Sequence, residues 1–185
     1  MLTMVNMNKL KLTNLQQDIL RLLFLKAGSQ LNQRQIAKFL GVSPPAVMKA
    51  LPDLEKENLL SVRQDKESKR WSIGLNRANH RLMQLKRVAN LKQIYETGLA
   101  DFLEKEFAGA AIILFGSYSR GDDIANSDID IAVIGRKDKL IGLSAYEKLL
   151  ERTININFYE SWKKIHKNLK ENICNGIVLA GGIEL

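Results

Sequence analysis

Apolar residues recur at helical spacing three times within the first sixty positions, and the pattern then changes to alternation. Leu15, Ile19, Leu22, Leu23 and Leu25 predict a helix over 14–26, stopped at Gly28. Asn32 caps a second, short helix that turns Ile36, Ala37 and Phe39 or Leu40 inward. After the turn Gly41-Val42-Ser43, Ser43 caps a third helix. Pro44 and Pro45 suit its first turn, where a missing N–H costs little. Val47, Leu51 and Leu54 form its buried stripe. Pro52 falls inside it and predicts a kink, because it removes a backbone hydrogen bond. Residues 59–63 and 70–75, with Trp71 and Ile73 alternating with Ser72 and Gly74, predict a β-hairpin around a polar tip.

The second half carries short apolar runs separated by turns. Residues 76–106 contain no proline and place Leu82, Leu85, Val88, Leu91 and Ile94 at steps of three. They predict a long connecting helix broken near Gly98, with its apolar stripe drifting around the axis and packing on both domains. Ala110–Phe115 is a short strand ended by Gly116-Ser117. Ser127–Ile134 is a second strand, and Thr153–Phe158 a third. Beyond Trp162 the chain predicts one helix through Ile165, Leu169 and Ile173, then a terminal strand or turn over 176–182.

Composition narrows the reading. The 185 residues are 45% hydrophobic and include one cysteine, Cys174, which rules out a disulfide framework and reads as a small packing residue. The apolar run Leu20–Leu25 is interrupted by Arg21 and is too short to span a bilayer, so a soluble cytoplasmic protein with no membrane partner is expected. Residues 1–97 hold 17 of the 28 Lys and Arg but 7 of the 20 Asp and Glu, a net of +10 against −2 for the rest. That split suggests a polyanion-binding first half and two domains: 1–75, a linker helix over 76–97, and 98–185.

Three helices followed by a hairpin with a basic tip resemble a winged helix-turn-helix over about 13–75. The resemblance implies binding to double-stranded DNA. Ser43 and Lys49 would lie on the helix that enters the major groove, and Arg63, Lys66, Lys69 and Arg70 on phosphates. It also implies a homodimer on a two-fold site. A dimerisation or docking module is the other use of such a fold.

The chemistry lies further on. Gly116 lets the backbone approach a phosphate, Ser117 offers a hydroxyl, and Arg120 adds a charge-assisted contact. Alternation puts Asp128 and Asp130 on one face of their strand, with Ile129, Ile131 and Val133 on the other. Two adjacent carboxylates repel unless a cation lies between them, and Mg²⁺ suits such a pair because it keeps water and phosphate oxygens in its shell. Strand, Gly-Ser, ten residues, Asp-x-Asp and apolar strand, in that order, resemble the minimal prokaryotic branch of the nucleotidyltransferase superfamily that includes DNA polymerase beta. The match covers about 98–185 and extends to Arg120-Gly121.

The resemblance implies an α/β (α+β) second domain, a small mixed sheet with helices on one side. It implies Mg²⁺ (or Mn²⁺) and an NTP such as ATP as ligands, with Asp128 and Asp130 as catalytic metal ligands and Gly116, Ser117 and Arg120 on the triphosphate. The family's third carboxylate belongs on a later strand. Here that strand offers Asn155 and Asn157, and Glu160 has the opposite parity. The function expected is transfer of NMP from an NTP to a hydroxyl of an unidentified acceptor, for which the resemblance offers a partner protein in an antitoxin-like setting as one option. The alternatives are a DNA-binding regulator that binds Mg·NTP without turnover, and a degenerate domain used for dimerisation.

Overall fold

The computed structural model describes residues 12–182; the outer ends of the expected 1–75 and 98–185 segments lie outside the described residues. The chain divides into two compact units. Among the described residues, the first is 12–24 with 30–75, and the second is 25–29 with 76–182.

The first unit is built from α1 (Asn14–Leu25), whose last residue, Leu25, belongs to the second unit, with α2 (Gln33–Leu40) and α3 (Pro44–Lys56), then β1 (Leu60–Gln64) and β2 (Trp71–Leu75). Asn32 and Gln35 cap α2 reciprocally through side chain and backbone, and the Ser43 hydroxyl accepts from the Ala46 N–H at the start of α3. Ile19, Leu23, Ile36, Val47, Leu51, Leu54 and Ile73 are buried. Leu31 exchanges two backbone hydrogen bonds with Ile73, adding a third short stretch to the hairpin. Pro52 lies inside the third helix, which runs from 44 to 56, and sits on its exposed side. Of the two further inward candidates, Leu40 is half-buried and Phe39 is 58% exposed, because Ile36 and Ala37 already fill the inward stripe of the short α2.

The second unit begins with α4 (His80–Glu96), capped by the Asn79 side chain, and α5 (Leu99–Glu106). It continues with β3 (Ala111–Phe115), α6 (Gly116–Arg120), β4 (Ile129–Ile134), α7 (Ser144–Leu150), β5 (Ile154–Tyr159), α8 (Lys167–Cys174) and β6 (Ile177–Ala180). The four strands form a mixed sheet in the order β5-β4-β3-β6, with β4 and β5 parallel and the other pairs antiparallel. Ile112, Leu114, Ile129, Ile131 and Val133 pack with Ile94, Leu99, Leu103 and Leu150. Ala111, Ile113, Phe115, Ala132 and Ile134 pack with Ile165 and Ile173. Helices therefore cover both faces, because α8 closes the side expected to be bare. Cys174 at the end of α8 is exposed and not a packing residue.

The apolar stripe expected on the connecting helix is also displaced. Leu82, Lys86, Asn90 and Ile94 are the buried positions of α4, four residues apart, while Leu85 and Val88 are exposed. Polar side chains take the buried turns because a carboxylate waits for them: the Lys86 ammonium and the Asn90 amide (2.7 Å) both donate to Asp123 Oδ1. Asn90 also donates to the Tyr118 carbonyl at 2.9 Å. Gly121 permits this approach. Its φ is +81°, and a Cβ there would stand 2.5 Å from the Met83 carbonyl oxygen and 2.7 Å from the Arg87 nitrogen. Asp123→Ala would leave Lys86 and Arg152 buried without their anion. We expect it to destabilise the second unit by about 3–5 kcal/mol, read from the urea midpoint of that unit, and Lys86→Met to cost less because Arg152 remains.

Candidate nucleotide site and nucleic-acid interface

Gly116 and Ser117 follow β3 directly and open α6, and Asp128 and Asp130 flank the first residue of β4. β3 and β4 are antiparallel with Phe115 opposite Asp130, so the end of one strand lies beside the start of the other. Gly116 has φ +76°, and a Cβ on it would stand 2.5 Å from Asp130 Oδ2. The turn therefore meets the acid backbone to side chain, and only glycine fits between them. Ser119 donates its hydroxyl to the Gly116 carbonyl at 2.8 Å and braces the turn from behind. Ser117 is half-buried. Arg120 is exposed at the far end of α6, where its Nε pairs with Asp122 at 3.1 Å.

Burial holds the Asp130 carboxyl above the ordinary carboxylate range. The Asn155 amide opposes that shift, and the charge of Asp128 adds to it. β5 runs parallel to β4 with Asn155 level with Asp130 and Asn157 level with Ala132. Asn155 is therefore the residue at the third corner, and its amide donates to Asp128 Oδ2 at 3.1 Å. Asn157 stands one pleat further along. Glu160 lies beyond the strand, exposed, where its ion pair with Lys164 holds its carboxyl below the ordinary range. Among the described residues there is no cluster of three or more His, Cys, Asp or Glu side chains suited to a metal. A cation here would rest on the two carboxylates of Asp128 and Asp130. That donor set fits Mg²⁺, which is satisfied by few protein oxygens and completes its shell with water and phosphate.

In the first unit, Ser43 serves as the α3 cap and Lys49 is exposed on the same helix. Arg63, Lys66, Lys69 and Arg70 are all exposed along the hairpin. Asp65 shapes the tip by accepting from the Ser68 N–H (2.7 Å) and hydroxyl (2.8 Å), contacts that lower its carboxyl pKa. A cavity of about 270 Å³ lies between this tip and the start of α2, lined by Asn32, Gln33, Arg34, Ser68, Lys69 and Arg70. Arg34 thus joins the wing cations around one polar slot. Its place at the N-terminus of a capped helix was a signal in the sequence that charge counting passed over.

A capped three-helix unit with a two-stranded wing defines a winged helix, and a Gly-Ser turn pressed against an Asp-x-Asp strand defines a nucleotidyltransferase-type domain. Residues 13–67 match the family model described as bacterial regulatory proteins, gntR family, and residues 97–179 match that of the nucleotidyltransferase domain. The chain joins a winged-helix domain to a nucleotidyltransferase domain. No curated protein matches it. Similar solved structures include the adhesin competence repressor AdcR of Streptococcus pyogenes, 25% identical over 56% of this chain and 72% of that one, TM-score 0.41. Others are MepR of S. aureus in a DNA complex (26%; 51% and 77%; TM-score 0.38) and a ZitR variant of Lactococcus lactis (23%; 58% and 70%; TM-score 0.39). TM-scores this low are too weak a likeness to fix an architecture. Among the described residues no helix is long and apolar enough to cross a membrane.

Proposed function

We propose that the second unit binds a nucleoside triphosphate with Mg²⁺ and transfers its NMP group to a hydroxyl of an acceptor, a partner protein in the simplest case, while the first unit binds double-stranded DNA as a homodimer. The observation that carries the reading is the seating of Gly116 against Asp130. It puts the start of α6 against the Asp130 carboxylate, with Asp128 two residues earlier beside the same strand. Gly116 and Ser117 bind and orient the triphosphate. Asp128 and Asp130 hold the cation, which when bound neutralises phosphate charge. In the transfer, the acceptor oxygen forms a bond to the α-phosphorus as the bond to pyrophosphate breaks, and the hydroxyl proton passes to water. Arg120, whose Nε pairs with Asp122, adds a charge-assisted contact to the triphosphate.

Asn155 supports a second reading. An amide cannot take the proton of an attacking hydroxyl, so a domain with Asn155 at the third corner suits nucleotide sensing without turnover. α-³²P-labelled NTPs incubated with the chain and a cell lysate distinguish the two. Magnesium-dependent labelling of a macromolecule, absent with Asp128→Ala, is expected for the transferase. NTP binding without any label leaves the sensor.

For the first unit, affinity for duplex DNA should fall steeply with salt. Lys66→Ala/Lys69→Ala/Arg70→Ala should weaken it uniformly across sequences and reduce the slope of log K against log salt by about three, measured by fluorescence anisotropy. An unchanged slope would point to a docking module.

A further inference from the structure

The loop over 121–127, which joins the two halves of the motif, is held along most of its length. Asp122 O accepts from Arg77 Nη2 at 2.8 Å. Asp123 receives Lys86 and Asn90. The Ala125 N–H donates to Ala27 O at 2.8 Å, and Ile124 packs against Gly28. Arg77 follows β2 of the wing by two residues, and Ala27 follows α1 by two. The loop is therefore bound to both stretches, 25–29 and 76–90, by which the chain passes between winged helix and second unit.

Arg152 stands at the centre of this arrangement, between two acceptors. Its Nη2 donates to the carbonyl of Leu25, the last residue of α1, at 2.9 Å, and lies 3.8 Å from Asp123 Oδ2. Arg152 Nε and Asp123 Oδ2 are both buried and neither has a hydrogen-bond partner. A buried donor and acceptor left unmade cost about 1–3 kcal/mol each. A movement of about 1 Å would bring Nη2 within hydrogen-bond reach of Asp123 Oδ2 and release Leu25, and the unpartnered Nε is the second donor that a two-pronged arginine–carboxylate pair uses. The two arrangements exchange one set of buried hydrogen bonds for another, which is the condition for two states of similar free energy. The loop that would move carries Asp123 five residues before Asp128, and its other end is anchored at Ser117 through the Asp122 N–H (3.2 Å). A ligand drawing Ser117 and Asp128 together would load both ends.

We propose that Arg152 is a two-position switch between the Leu25 carbonyl and Asp123, and that through it occupancy of the nucleotide site and DNA affinity of the winged helix depend on each other. Arg152 and Asp123 act as positioning residues, since neither belongs to the phosphate or cation ligands. The inference rests on the Mg·NTP reading above and adds the regulation of that site. Linkage makes the dependence reciprocal.

The test uses the full chain, a fluorescein-labelled duplex of random sequence at low salt, and an equimolar mixture of ATP, GTP, CTP and UTP, with free Mg²⁺ matched in both arms. In the wild type the NTPs should change the Kd for DNA by at least about fivefold, the lower end of ordinary coupling. Arg152→Met leaves Lys86 and Asp123 as a balanced pair. It should bind DNA and NTP separately within about threefold of wild type and bring the ratio to one. Arg152→Lys keeps the charge without the fork and should also lower the ratio, which covers the case in which Arg152→Met does not fold. NTP binding with an unchanged DNA affinity in the wild type, or full coupling retained in the folded variants, would overturn the switch alone. Absence of NTP binding would remove the proposed function and the switch with it.

Discussion

Asp130→Ala should abolish the proposed magnesium-dependent nucleotide binding and leave the second unit folded. Groups that merely orient a metal ligand already cost about 10–100-fold in metal affinity, so loss of a direct ligand should exceed about 100-fold by equilibrium dialysis with labelled NTP. Without ligand, the same substitution has the opposite sign. Burial and the neighbouring Asp128 raise the Asp130 carboxyl pKa in the folded chain. The folded state then holds its proton to higher pH than the unfolded state does. Stability is lost as pH rises through the carboxylate range, and at neutral pH the ionised pair opposes folding. Removing Asp130 relieves that repulsion. The urea midpoint of apo Asp130→Ala should therefore equal or exceed that of the wild type at pH 7, and the difference should shrink on acidification. A variant that binds no nucleotide because it is unfolded would show the reverse.

Asn155→Asp is the second substitution with a large expected effect. Asn155 is level with Asp130 on the neighbouring parallel strand and donates to Asp128. An aspartate there turns that hydrogen bond into a like-charge contact and adds a third carboxylate at one point. The apo protein should be destabilised at neutral pH and regain its stability on addition of MgCl₂, as a rise in Tm larger than the wild type shows. If the wild-type chain transfers NMP slowly for want of a proton acceptor, the variant should do so faster by a factor on the order of 10² or more, the range of general-base catalysis. A rate unchanged beside a raised magnesium affinity would favour the sensing role.

Much of this architecture was legible in the residues because local signals agreed with one another. Asn32 and Ser43 mark helix starts with side chains that satisfy orphan N–H groups, and Trp71 and Ile73 alternate as a half-buried strand must. The spacing of Gly116, Ser117, Asp128 and Asp130 was legible too, but not that Gly116 touches Asp130, since that depends on Phe115 lying opposite Asp130 in the antiparallel register. Three features were hidden for physical reasons. Phe39 is exposed because a two-turn helix has room for few inward positions. α8 covers the second face of the sheet because β6 returns antiparallel to the central β3, a long-range pairing that no local pattern encodes. The buried face of α4 carries Lys86 and Asn90, which hydrophobic periodicity assigns to solvent. Their partner Asp123 is 37 residues from Lys86 and 33 from Asn90. Polar burial of this kind depends on tertiary pairing and breaks the apolar pattern from which a helix face is read.

The most direct measurement is equilibrium dialysis of the full chain against α-³²P-labelled ATP, GTP, CTP and UTP in turn, with MgCl₂ or with EDTA. The account predicts saturable binding of at least one of them, one nucleotide per chain, abolished by EDTA and by Asp128→Ala. No binding of any of the four, or binding that persists in EDTA and in the variant, would contradict it.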